Sequence, residues 1–263
     1  MNCKKWNALL ALITLVAVFD VTAQKKVVID NYFNNEISSK TNKPFHYLWD
    51  DKEQSGFSDF GAIFTSQGAQ LATLKNKPTS ENLKDVDVFI IVDPDHAKDS
   101  KSPNFMDDQA AKAIAKWVKN GGVLLMLTND SSNCELKNFN KLASRFGITY
   151  NIDFNHPELR GADKSVRNFE SCASRNLPKH PVFEGVNKIF IKEISSINCK
   201  KPARAVLVEN GKTFMAESTY GKGYVFAVGD PWLYNEYIDH AMLPMDFENY
   251  KAAQNLAKLL LSK

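Results

Sequence analysis

The chain has 263 residues, of which 44% are hydrophobic and 24% charged, a balance that excludes disordered, collagen-like, coiled-coil and disulfide-dense miniprotein classes. Its 33 basic and 30 acidic residues give a formal net charge of +3, so no sequence-wide field points to DNA, RNA or anionic lipid. Length alone allows one large domain or two small ones.

Lys4 and Lys5 precede an apolar run from Ala8 to Phe19, and Val21-Thr22-Ala23 supplies small residues for cleavage, the pattern of a secretory signal peptide over residues 1–23. That run is shorter than the ~20 residues of a membrane-crossing helix, and no other segment is long enough, so no transmembrane segment is expected. Cys3 lies in the charged leader, before the apolar run, which argues against a lipoprotein anchor. The expected product is a periplasmic or secreted chain beginning near Gln24 and still slightly basic. It keeps Cys134, Cys172 and Cys199, an odd number; Cys172 with Cys199 is the pair to test for a disulfide, against three unpaired thiols.

In chain order, Lys26 to Asp30 reads as a buried strand, and Phe57, Phe60, Ile63 and Phe64 recur at helical spacing before Gly68. Leu71 to Leu74 is a short strand, and Val86 to Val92, apolar on both faces, suits a central parallel strand. Met106 to Lys119 forms a helix ended by Asn120-Gly121-Gly122; Val123 to Leu127 is the next buried strand, and Glu135 to Phe146 a helix stopped by Gly147. The alternation predicts an α/β fold, a mainly parallel three-layer sandwich of flavodoxin or amidotransferase type. Periodicity fails between Thr149 and Pro181, marking a loop-rich insertion of about 149–181 within a single domain over 24–263. Ile189 to Ile191, Ala205 to Glu209, Thr213 to Ser218 and Tyr224 to Val228 follow, with turns at Asn210-Gly211 and Gly221-Lys222-Gly223, and read as an antiparallel C-terminal extension of the sheet. Glu248 to Leu261 is an amphipathic terminal helix.

Ligands of open α/β sheets bind outside the carboxyl ends of the parallel strands. The rule selects Asp30, Asn31 and Tyr32; Asp93, Asp95 and His96; Thr128, Asn129 and Asp130; and Asp230, Trp232, Tyr234 and Asn235; the loop carrying His46, Tyr47, Trp49, Asp50 and Asp51 has the same composition. Carboxylates and amides beside aromatic rings are the mixture that recognises sugars, rings on C–H faces and polar groups on hydroxyls. The same residues are also helix caps and turn formers, and Trp49 and Trp232 are equally suited to a core. No GxGxxG follows the first strand, and GxxxxGK[ST], HExxH and GxSxG are absent, so dinucleotide, P-loop, zincin and serine-hydrolase readings fail; no metal or cofactor is expected.

The segments VVIDNYFNNE, HYLWDD, VFIIVDPD, WVKNGGVLLMLTND, FNKLASRFGI, HPVFEGVNKIFIKEIS and GKGYVFAVGDPWLYNEY resemble the class I glutamine amidotransferase-like domains of Bacteroidetes polysaccharide-degrading systems, over roughly Lys26 to Lys263. Such domains occur alone or beside unsaturated rhamnogalacturonyl (glucuronyl) hydrolases. The resemblance implies the fold, an exported location and a saccharide context. The family's nucleophilic Cys is not carried over, because Val123 to Leu127 exits into Thr128-Asn129-Asp130 without a Cys or flanking glycines. The expected function is therefore binding or processing of pectin-like oligosaccharides, with a glycoside hydrolase as possible partner. Two alternatives stand beside it. One is a glycoside hydrolase with Asp93, Asp95 or Asp230 as acid or base and His46 or His96 as its partner; the other is a non-catalytic interaction subunit.

Overall fold

The computed structural model describes residues 24–100, 102–160, 166–238 and 240–263. The signal-peptide reading lies outside the described residues. In chain order the strands are β1 (Lys26–Asp30), β2 (Gln70–Leu74), β3 (Val88–Val92), β4 (Val123–Leu127), β5 (Ile148–Tyr150), β6 (Ala173–Ser174), β7 (Ile189–Phe190), β8 (Ile197–Cys199), β9 (Arg204–Glu209), β10 (Lys212–Tyr220) and β11 (Gly223–Val228). The helices are α1 (Ser58–Ser66), α2 (Asp108–Lys119), α3 (Leu136–Ala143), α4 (Asn235–Ile238) and α5 (Asn249–Leu261).

Five strands run parallel in the order β2-β1-β3-β4-β11, and β10, β9, β8 and β5 extend the sheet antiparallel; β6 and β7 form a separate antiparallel pair. The sequence forces this layering. Val27 to Ile29 of β1 and every side chain of β3 and β4 are apolar, so each strand needs cover on both faces. Val88, Ile90 and Val92 join one core with the buried faces of α1 and α5, while Phe89 and Ile91 join a second with α2 and α3. One reading of the last strand is corrected. β11 is antiparallel to β10 but parallel to β4, so it is the fifth parallel strand and only the strands beyond it form the antiparallel extension. Its uninterrupted burial is the signature of a central position.

Local chemistry sets the helix ends. Asp107 caps α2 by accepting from the Ala110 amide at 2.8 Å. Glu135 caps α3, whose last turn tightens to a 3-10 helix over Ser144–Phe146 before Gly147, at φ 78°, reverses the chain. The expected helix from Glu135 to Phe146 is thus an α-helix with a tightened end.

The three described cysteines are free. Cys172 is part of the α1/α5-side core and Cys199 packs against the α2/α3-side core. The sheet lies between them, so the Cys172–Cys199 disulfide is not formed. Among the described residues no helix is long and apolar enough to cross a membrane.

Gly229, the first residue after β11, joins three segments: its N–H donates to the Phe214 carbonyl at 3.1 Å and its own carbonyl accepts from the Ser195 N–H at 3.0 Å. A Cβ there would stand 1.9 Å from the Ser195 carbonyl oxygen. Gly229→Ala should therefore lower folding stability by about 1–3 kcal/mol or more, read by denaturant unfolding; native stability in the variant would show that the approach relaxes freely.

Candidate functional site

The strand order reverses between β1 and β3: β1 is followed in sequence by β2 on one side, and the chain then crosses back to β3 on the other. This switch point opens a crevice at the carboxyl ends of the two strands. Asp30 ends β1 and folds the next loop back on itself, its Oδ2 accepting from the Phe33 and Asn34 amides at 2.8 and 3.3 Å. That brings Asn34 to donate its Nδ2 to the Asp93 carbonyl at 2.9 Å, and Asn35 to donate its N–H to Asp95 Oδ2 at 2.9 Å. The β1 and β3 exits are thereby tied together.

Asp93 follows β3 in the left-handed region, φ 42°. Opposite it, His46 and Tyr47 are left-handed too, at φ 63° and 48°. Such conformations cost of order 1–3 kcal/mol each in non-glycine residues and persist only where the surroundings impose them. The surroundings are visible: Asp51 Oδ2 accepts from the His46 N–H at 2.9 Å, and the Tyr47 hydroxyl donates to Asp93 Oδ2 at 2.9 Å. Asn129, at the β4 exit, donates its Nδ2 to the same oxygen at 3.4 Å. The Tyr47 ring meets Tyr234, after β11, edge-on at 6.0 Å.

Burial dominates the electrostatics. It pushes Asp30, Asp93 and Asp95 up to about 7, against the hydrogen bonds that favour their charged forms. Asp30 Oδ1, Asp93 Oδ1, Asp95 Oδ1, Asn34 Oδ1 and Asn35 Oδ1 are all buried without a hydrogen-bond partner. Acceptors gathered without donors favour carboxyls that keep their protons, since a protonated oxygen is itself a donor. Among the described residues no group of three or more His, Cys, Asp or Glu is arranged to hold a metal ion. Cys134 lies beside Asp93, and burial and that carboxylate push its thiol well above the usual range, which leaves no thiolate nucleophile there.

The structure brings Asp93, Asp95 and Asn129 into one crevice with Asp30 from the end of β1. It does not bring the histidines to them as partners. His46 Nδ1 is 3.2 Å from Glu36 Oε1, and His96 Nε2 meets the Ser131 carbonyl at 3.3 Å. Asp230, pushed up to about 8 by burial, accepts from the Lys192 and Trp232 amides at 3.0 and 3.3 Å and braces its own turn. Trp232 is 1% exposed and belongs to the core, so it offers no face to a ligand. Tyr234 is buried beside Tyr47; Asn235 is committed to the 51–58 loop, its Oδ1 accepting from Asp59 N–H and its Nδ2 donating to the Asp51 and Glu53 carbonyls. Asp130 accepts from the Ser132 amide at 2.7 Å as a turn residue, and Tyr32 accepts through its carbonyl from Asn104.

Asn31, Trp49 and Asp50 come together elsewhere, in a groove of about 410 Å³ along the carboxyl end of β2 that is also lined by Lys43 and Lys75. Sequence reasoning missed both lysines, and it missed Glu36 and Asn34 in the crevice; it named Tyr47 only as part of the 46–51 loop. Tyr47 stood inside the HYLWDD segment, but nothing in that segment announces a left-handed backbone.

No family model matches the chain, and no curated protein matches it. Solved structures do. The chain is similar to the mmIFT52 N-terminal domain, with 16% identity, a TM-score of 0.69 and coverage of 91% of this chain and 98% of that one. It is similar to a GMP synthase-like protein of Thermoplasma acidophilum, with 9% identity, a TM-score of 0.50 and coverage of 92% and 96%. It is similar to part of a β-galactosidase of Rahnella sp. R3, with 14% identity, a TM-score of 0.52 and coverage of 91% of this chain and 31% of that one. These likenesses are of fold, and the fold is amidotransferase-like.

Two outcomes follow from the geometry. A raised folded-state pKa means that the folded chain holds protons the unfolded chain has lost. The stabilisation from Asp30, Asp93, Asp95 and Asp230 is therefore complete below the ordinary carboxylate range and disappears as pH rises through about 7 to 8. The thermal midpoint should fall steadily between about pH 5 and pH 9, and Asp95→Asn should flatten the slope; a midpoint that rises over this interval would refute the protonated crevice. Trp232→Ala should cost about 3–5 kcal/mol of folding stability, as a core ring does; a loss near zero by chemical denaturation would return the ring to the surface.

Proposed function

We propose that this chain is an exported saccharide-binding protein that takes acidic, pectin-like oligosaccharides and serves beside polysaccharide-degrading enzymes, such as the unsaturated rhamnogalacturonyl hydrolases of Bacteroidetes systems, without amidotransferase activity of its own. The observation that carries the reading is the groove of Trp49, Asn31, Asp50, Lys43 and Lys75. The Trp49 ring is half-buried against Phe57, Phe60 and Phe64, and its Nε1 donates to the Ala72 carbonyl at 3.0 Å. Its remaining exposed part is thus a fixed apolar surface for the C–H face of a sugar ring. Lys43 and Lys75 are exposed cations able to meet uronate carboxylates, and Asp50 is a directional acceptor for hydroxyls. Burial raises the carboxyls of the neighbouring crevice to about 7, which lessens the repulsion an anionic ligand meets there.

One observation favours a second reading, in which the chain hydrolyses glycosidic bonds. Asp93 and Asp95 are carboxyls pushed up to about 7, the range of a general acid at neutral pH. Their exposures of 8% and 3% weigh on the side of binding. Product release from oligogalacturonates by the native chain, lost in Asp93→Asn, would decide for hydrolysis.

For binding, the double reversal Lys43→Glu/Lys75→Glu should weaken oligogalacturonate affinity by about tenfold or more, where tenfold corresponds to about 1.4 kcal/mol. Neutral galacto-oligosaccharides should be unaffected, and affinity for the acidic series should fall as salt is raised. Titration calorimetry checks all three, and the absence of binding to every acidic oligosaccharide by the native chain would end the proposal.

A further inference from the structure

A second pocket stands on the same carboxyl edge. It has a volume of about 420 Å³ and is lined by His96 after β3, Ser131 after β4, Glu135, Lys137 and Asn140 of the α3 segment, and Ile152 after β5. We propose that this pocket is a further subsite of the saccharide site, so that the chain binds several uronate units along the carboxyl ends of β2, β1, β3 and β4 instead of a single sugar. The inference rests on the saccharide reading of the Trp49 groove.

The pocket combines fixed walls with uncommitted groups. Asn140 is held at both ends, accepting from the Tyr150 amide at 2.8 Å and donating to its carbonyl at 2.9 Å. Glu135 is held by the Asn138 amide at 2.9 Å. Against that frame stand three groups with capacity left for a ligand. His96 Nε2 faces a carbonyl oxygen and so donates to it, which leaves Nδ1 for a ligand. Lys137 is exposed and, among the described residues, forms no ion pair or hydrogen bond. Ile152 is 68% exposed beside polar groups, an apolar patch of the size that a sugar's C–H face covers. A cation and an apolar face repeat the chemistry of Lys43 and Trp49 in the first groove, and His96 adds a ring nitrogen that can meet a hydroxyl.

The spacing sets the ligand length. The groove lies along β2 and the pocket at the β4 exit, with β1 and β3 between, three strand spacings or roughly 14 Å. One sugar ring cannot reach across; a chain of several can. The loops between carry Asn35, Glu36 and His46, all partly exposed. Glu36 Oε1 stands 3.2 Å from His46 Nδ1 along that path.

Calorimetric titration of the full chain with digalacturonate and hexagalacturonate tests the inference. Hexagalacturonate should bind at least about tenfold more tightly than digalacturonate. Ile152→Ser/Lys137→Glu, which alters only exposed side chains, should abolish that advantage and leave digalacturonate affinity as it was. Equal affinities for the two lengths, or hexagalacturonate binding unchanged in the double variant, would overturn the second subsite while leaving the first groove standing. No binding at either length would remove the saccharide reading and the subsite with it.

Discussion

The hydrogen bond from the Tyr47 hydroxyl to Asp93 closes the carboxyl edge of the sheet. Its donor comes from the loop between β1 and α1, its acceptor from the end of β3, and both residues hold left-handed backbone that their side chains do not favour. Around it the remaining exits fall into place: Asn129 from β4 shares the acceptor, Asn34 from β1 takes the Asp93 carbonyl, and Tyr234 after β11 packs on the tyrosine ring. Four strands thus contribute to one polar joint. Its acids tolerate their burial by keeping protons, which makes the joint depend on pH in a way that the apolar cores on either side do not.

The same joint occupies the place where the resemblance would put a nucleophile. The β4 exit, where a nucleophile would need a tight turn, is used for hydrogen bonds: Thr128 Oγ1 donates to the Val228 carbonyl at 3.1 Å and Asn129 reaches to Asp93. Cys134, the one thiol nearby, is sealed into the α2/α3-side core and held protonated. What remains accessible lies to the two sides of the joint, where lysine, tryptophan, histidine and isoleucine stand beside the carboxylates Asp50 and Glu135.

The central strands were legible because VVID, VFIIV and VLLML are apolar on both faces, which only a covered parallel strand accommodates. Asp30, Asp93 and Asn129 were legible for a related reason: strand ends point at the crevice whatever motif they carry. The three-residue strands β5 and β8 were not, since they exist only through pairing with each other and β10, and their residues have no local pattern. The parallel partner of β11 was hidden similarly, because a hairpin turn announces β10 but says nothing of β4. Trp232 illustrates a different limit. An aromatic after Asp-Pro reads equally as platform or core, and the packing that buries it is contributed by residues distant in the chain. The left-handed residues His46 and Tyr47 gave no sign because neither is a glycine or asparagine, and the bonds that impose their conformation come from Asp51 and Asp93.

The placement of the cysteines has a consequence for how such a chain matures. Once the sheet separates Cys172 from Cys199, no bridge can join them without undoing the fold. Before that, the unfolded chain has no such barrier, and in an oxidising compartment the two thiols lie only a short loop apart in sequence. In such a compartment a bridge formed early would keep the chain from completing its core, and a core formed early would bury Cys172 out of reach of Cys199.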